Sequence, residues 1–269
     1  MYGYTSNRRG DNMSKKIVDR IGEESYNSEG TLMKIIEYKN NSNILVEFQD
    51  EYKYKKSTTY QMFKKGNVKN LYDKTVCGIG YVGEGIYDKK TYLYIYKKWC
   101  SMLERCYDPY TINKHPTYKD CYVCNYWHCF QNFCKWWEEN IYKCNNESMH
   151  LDKDILIKGN KIYSPETCII APQRINNLFV KRDVARGEYP IGVCWDKVNN
   201  KFRAYCGILD KENNKKDINL GRYNTIEEAF LAYKKFKENY IKQVADEYKD
   251  LIPKELYEAL YKYEVDIND

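Results

Sequence analysis

At 269 residues, with 43% hydrophobic and 30% charged positions, the chain is long enough for two or three domains with packed cores under a well-solvated surface. No apolar run approaches the roughly 18 to 20 residues that span a bilayer, and no apolar stretch follows the charges of MYGYTSNRRGDNMSKK, so neither a membrane partner nor a secretory leader is expected and the expected compartment is cytoplasmic. The net charge of +6 is uneven, with +4 over residues 1–90, +3 over 91–185, +4 over 186–242 and −5 over 243–269, and a basic body interleaved with aromatic residues points to a polyanion, nucleic acid before membrane.

Residues 1–21 are polar and expected to be frayed. Residues 22–75 read as a small β-barrel module. Within them GTLMKIIEYKNNSNILVEFQDEYKYKKSTTYQMF alternates apolar and polar positions around the turn at Lys39 to Asn43, bringing Met33, Ile35 and Tyr38 near one face and Ile44, Val46 and Phe48 back along the next strand. Residues 76–90 hold G-x-G-x-x-G at Gly78, Gly80 and Gly83. A dinucleotide fingerprint follows a buried strand and opens a helix, whereas this one follows polar NLYDKTVC and runs into YDKK, so a Gly-rich linker or turn is expected instead.

From Thr91 the helical period takes over. TYLYIYKKWCSMLERCYD places Ile95, Trp99, Met102 and Cys106 on one face before Pro109, and YVCNYWHCFQNFCKWWEENIY does the same with Val123, Trp127, Phe130, Cys134, Trp137 and Ile141. These aromatics are expected in a core and not as a base-stacking platform. Further on, YPIGVCWDKVN, KFRAYCGILDK and KDINLGRY read as three strands, and a helix begins at Thr225, whose Glu228 three residues later completes a capping box. The acidic end, 249–269, reads as a short helix and a tail. The fold class expected is therefore α+β: an N-terminal barrel, a central helical region over 91–183, and a C-terminal three-stranded antiparallel sheet with its helix over 186–248.

Eleven cysteines, an odd number in a long chain with no route to secretion, are expected as reduced and mostly buried thiols. Cys121 and Cys124 form half of a zinc site, but Cys129 and Cys134 stand five apart inside an amphipathic stretch, a poor clamp even with His115 or His128 added. Structural zinc is accordingly not expected.

The stretch LDKDILIKGNKIYSPETC with its continuation CIIAPQRINNLF runs from an Asp at a strand end, through a loop with Asn and Pro, to a second strand and a helix carrying Asn. That order, preceded by a helix with Trp99, Met102, Arg105, Cys106 and Tyr107 in the pattern W-x-x-M-x-x-R-C-Y, resembles the HNH endonucleases of phages and homing-endonuclease-like elements over roughly residues 95–180. The resemblance implies a ββα-metal hairpin in which Asp152 and Asn176 hold one Mg²⁺ or Mn²⁺. It also puts Lys153 where the family's general-base histidine sits, and Thr167 where its central asparagine orients that histidine. A lysine with a reference pKa of about 10.4 is protonated at neutral pH and is no base unless burial lowers its pKa by several units, so Lys153 is expected to contact the scissile phosphate or to stand close to where the cation would have been. His150 and Asp154 alternate with it along an extended strand, share the Asp152 side, and are candidates for a displaced base and a further metal ligand.

Residues 187–242 are similar to the plant ethylene-response-factor type of DNA-binding domain, through Gly192-Val193, Phe202, Ala204, Leu220-Gly221, Thr225, Glu228-Ala229 and Ala232-Tyr233. In that family the exposed sheet face enters the major groove. The family's strand-one arginines fall at Ile191 and Cys194 here, so its base specificity does not carry over. Lys201, Arg203, Tyr205, Asn219 and Arg222 remain as candidate contacts, with Lys197 and Lys215 on phosphates.

Two expectations of function follow. One is a phage or mobile-element protein of HNH type that binds double-stranded DNA in the host cytoplasm, either cutting it with a metal or, given Lys153, only holding it. The other is a phage interaction protein that uses a nuclease-derived scaffold to capture a host or defence protein.

Overall fold

The computed structural model describes residues 19–180, 188–209 and 214–269. Most of the segment expected to be frayed therefore lies outside the described residues. The chain divides into two compact units, Met1–Thr75 and Val76–Asp269.

In the first unit β1 (Glu24–Tyr26), β2 (Leu32–Asn40), β3 (Asn43–Phe48) and β4 (Lys55–Thr58) form an antiparallel sheet in the order β1-β2-β3-β4. Met33 pairs with Phe48 and Ile35 with Val46. All four side chains are fully buried, as alternation on one face requires. A register shift between Ile35 and Glu37 then brings Tyr38 opposite Ile44, which is how Tyr38 joins the same side three residues after Ile35. The expected barrel does not close. β1 and β4 remain separate edges, and the apolar face is covered instead by Phe63 of α1 (Tyr60–Lys64) and by Val68. Four strands are too few to close on themselves, and the short helix covers the apolar face instead.

The second unit is built on α2 (Leu93–Tyr107), α3 (Pro109–Lys114), α4 (Phe130–Asn140) and the later helices α6 (Ile226–Glu247) and α7 (Lys254–Lys262). Trp99, Met102, Trp127, Phe130, Phe133 and Trp137 are at its centre. The second helical stretch read from sequence is broken in three: β5 (Tyr122–Val123), a 3-10 turn at Asn125–His128, then α4. Cys124 and Cys129 are extended there, because Val123 pairs with Tyr163 and Cys129 bridges to Tyr81. Tertiary pairing overrides a helical spacing that the apolar residues satisfy equally well. The Gly-rich segment is not a free linker either, since a Cβ at Gly80 would stand 2.5 Å from Leu103 and 2.8 Å from Trp99.

The C-terminal sheet runs β11-β10-β9, from β9 (Val193–Asp196), β10 (Lys201–Leu209) and β11 (Lys215–Tyr223). Thr225 caps α6 with both bonds of the capping box. The first half of α6 covers the sheet through Ala229, Phe230 and Tyr233, and its second half enters the helical core through Ile241, Val244 and Ala245. One 22-residue helix thus serves two cores. The acidic end is packed and not a free tail: Val265 is buried in the sheet core, and Asp269 is buried as well.

Candidate functional site

β6 (Met149–Asp152) pairs antiparallel with β8 (Ile169–Pro172), and α5 (Gln173–Asn177) follows directly. Between the two strands β7 (Ile162–Tyr163) leaves to pair in parallel with β5. Tyr94 on α2 donates to the Met149 carbonyl at 2.9 Å and fixes β6 to the helical core. The short α5 is held by Arg174, whose guanidinium meets Glu247 of α6 at 2.7 Å and whose backbone N–H donates to Glu147. Strand end and helix therefore face a common space from rigid supports.

That space is a cavity of about 620 Å³, whose lining includes Arg105, His115, His150, Asp152, Lys153, Asp154, Asn176 and the C-terminal Tyr263 and Asp269. Asp152 is half-buried. Its Oδ1 accepts the N–H groups of Asp154 at 2.7 Å and Ile155 at 2.9 Å, which turns the chain out of the strand. Burial pushes its carboxyl above the usual range, against those two hydrogen bonds. Among the described residues no partner claims Oδ2 of Asp152 or the side-chain amide of Asn176.

Lys153 takes a different place from the one expected. It is 5% exposed, and its ammonium donates to the Asn160 carbonyl at 2.6 Å and to Asp154 Oδ2 at 2.7 Å, with the Tyr163 ring centroid at 5.9 Å. Asn160 returns a bond to the Lys153 carbonyl, so the pair closes the loop after the strand. Lys153 is a loop pin, not a free phosphate contact. Asp154 gives Oδ2 to Lys153 and still lines the cavity with Asp152, although the turn at Asp152 ends the strand alternation on which its place was expected. Thr167 also departs from its expected role: it donates to the Ile162 carbonyl at 2.8 Å, meets Ser164 at 3.1 Å and does not line the cavity.

His150 does lie on the Asp152 side of β6. Its pKa is lowered by burial and then by Lys98 and Arg105, and its Nε2 is buried without a hydrogen-bond partner. Lys98 and Arg105 are seven apart on α2, two helical turns, and so flank the same side. That spacing was the available sequence signal for Arg105 as a cavity residue. Tyr263 and Asp269 had none, because a return of the tail to the cavity leaves no periodicity.

A metal at this place fits the donor set in a restricted way. Asp152 and Asn176 offer oxygen donors that the protein does not use, the number a Mg²⁺-type ion takes when water completes its shell. Among the described residues no group of three or more His, Cys, Asp or Glu side chains is arranged to hold a metal. The cysteines are all free, Cys121, Cys129 and Cys134 buried and Cys124 partly so.

On the C-terminal sheet Phe202 and Ala204 face α6, while the register sets Arg203 between Cys194 and Arg222, and Tyr205 opposite Asn219, on the outer face. Lys201 shares that face, Lys215 lies at its far end opposite Leu209, and Lys197 stands in the turn after β9. Arg203 lies 5.5 Å from the Tyr205 ring centroid. Arg222 is engaged by Asp196 at 2.7 Å, and with Asn199 it depresses the Asp196 carboxyl to about 2.

Compared with protein-family models, with curated proteins and with solved structures, the chain matches none. Among the described residues no helix is long and apolar enough to cross a membrane.

Proposed function

We propose that this chain is a DNA-binding protein of phage or mobile-element type whose second unit brings a backbone phosphate to the Asp152 cavity for metal-assisted phosphodiester hydrolysis. The observation that carries this reading is the convergence of Asp152, from a strand end, and Asn176, from the following helix, on one cavity with their ligand atoms unclaimed. Bound there, a Mg²⁺ or Mn²⁺ would supply Lewis acidity at the phosphoryl oxygen. The chain's own contribution is placement: the Asp152 carboxylate is fixed through Oδ1 by two backbone N–H groups, and Asn176 is fixed through the anchoring of α5 on α6.

The outer sheet face supports duplex binding. Lys201, Arg203, Tyr205, Asn219 and Arg222 share it, with cations at Lys197 and Lys215 beyond, a distribution suited to base edges in the middle and phosphates at the ends. Fluorescence anisotropy with duplex DNA tests this. Affinity is expected to fall steeply with salt and to be lost in Lys201→Glu/Arg203→Glu. Salt-independent affinity, or binding unchanged by the double charge reversal, would reject the sheet as the DNA surface.

A second reading, holding without cutting, is favoured by one observation. The position where the resemblance puts a general base is a buried lysine locked to Asp154 and Asn160.

A further inference from the structure

We propose that Arg105 is an oxyanion-binding residue of the Asp152 cavity, and that the group it takes is a phosphate accompanied by a divalent cation. The inference rests on reading the cavity as a phosphodiester site and adds the anion half that Asp152 and Asn176 lack.

The charges around the cavity can be matched off. Lys153 is paired with Asp154 at 2.7 Å, and Lys158 with Asp269 at 2.8 Å. Lys161 is exposed at the rim and donates to the carbonyls of Thr117 and Lys119, each at 3.2 Å. Of the half-buried charges, Arg105, which hydrogen-bonds the Tyr163 phenol, and Asp152 are left without an ion pair. They sense each other electrostatically, yet no ion pair closes between them, and no other carboxylate among the described residues pairs with Arg105. A half-buried guanidinium and a half-buried carboxylate at one cavity would ordinarily collapse together, since each is costly to leave unpaired.

Both are held back. Arg105 projects from α2 beside the fully packed Met102 and Leu103, and its Cζ lies 5.5 Å from the Tyr118 ring centroid, with the Tyr163 phenol as a further neighbour. Asp152 is tethered through Oδ1 to the turn that follows it. The result is a fixed cation and a fixed anion with a gap between them. A ligand that fills it must show an anion to Arg105 and a cation to Asp152. A phosphate with its divalent metal does both, and the planar fork of arginine suits two phosphate oxygens at once. A plain carboxylate would satisfy Arg105 and repel Asp152.

The test uses the full chain and deoxythymidine 3′,5′-bisphosphate with Mn²⁺, followed by titration calorimetry. Wild type is expected to bind, and Arg105→Gln to bind about 10- to 100-fold more weakly, the range for a lost hydrogen bond to a charged group. Arg105→Lys should fall between them, because charge remains and the fork is lost. It also keeps the test valid if the Gln variant melts early. Asp152→Asn should abolish the gain in affinity that Mn²⁺ gives, and Lys135→Gln, on the exposed side of α4 away from the cavity and the sheet, should match wild type. Equal binding by wild type and both Arg105 variants, or no binding by wild type, would overturn the proposal. Duplex titrations run alongside separate the two ideas. Salt-dependent duplex binding without bisphosphate binding would remove Arg105 and keep the DNA reading, and the converse would remove the DNA reading and keep the cavity site.

Discussion

The two neighbours Asp152 and Lys153 carry opposite consequences for stability. Burial raises the Asp152 carboxyl, so between the unfolded value, near 3.9, and its raised folded value the native state binds more protons than the unfolded state does. Stability therefore falls as pH rises through that window, and the charged Asp152 burdens the fold at neutral pH. Asp152→Asn, which keeps an acceptor for both backbone N–H groups, is expected to raise the melting temperature at pH 7, with the gain vanishing below about pH 4. A lower melting temperature at pH 7 would contradict the sign. Lys153→Met should do the reverse, costing about 1–3 kcal/mol in a denaturant titration by stranding Asp154 and the Asn160 carbonyl, while leaving duplex affinity unchanged. The motif singled out Asp152 and Asn176, and both line one cavity. The sequence could not reveal that Lys153 is structural, because its partner carbonyl at Asn160 depends on how the loop closes.

Among the elements, those with a long uninterrupted period were legible and those set by pairing were not. α2 and α6 follow their apolar spacing, and the capping box at Thr225 marks the start of α6 where the sequence places it. The stretch around α4 has the same spacing but is cut by bridges to Tyr81 and Tyr163, partners 48 and 40 residues from Cys129 and Val123, which no local window registers. Strand β9 depends on a glycine of a specific kind. Gly192 has φ 78°, and a Cβ there would stand 2.1 Å from the Tyr233 ring. Gly192→Ala is expected to destabilise the protein by about 2 kcal/mol or more, from backbone strain and overpacking together. A melting temperature equal to wild type would refute the close approach of β9 and α6.

At the scale of the molecule, the reading of separate modules was only partly legible. α6 joins the sheet to the helical core, and the acidic end folds back so that Val265 packs under the sheet while Asp269 holds Lys158 at the cavity. A charge-rich tail with one buried valine has a solvated composition, and only its destination makes it structural. Hydrolysis in that cavity and recognition on the sheet are the proposed division of roles. Its most direct test is a nicking assay on supercoiled plasmid DNA with Mn²⁺, comparing the full chain with Asp152→Ala and Asn176→Ala. The prediction is conversion to open circle by wild type and loss of conversion in both variants. Equal conversion by all three would contradict the site, and conversion by none, with duplex binding kept, would contradict hydrolysis and leave a protein that holds DNA.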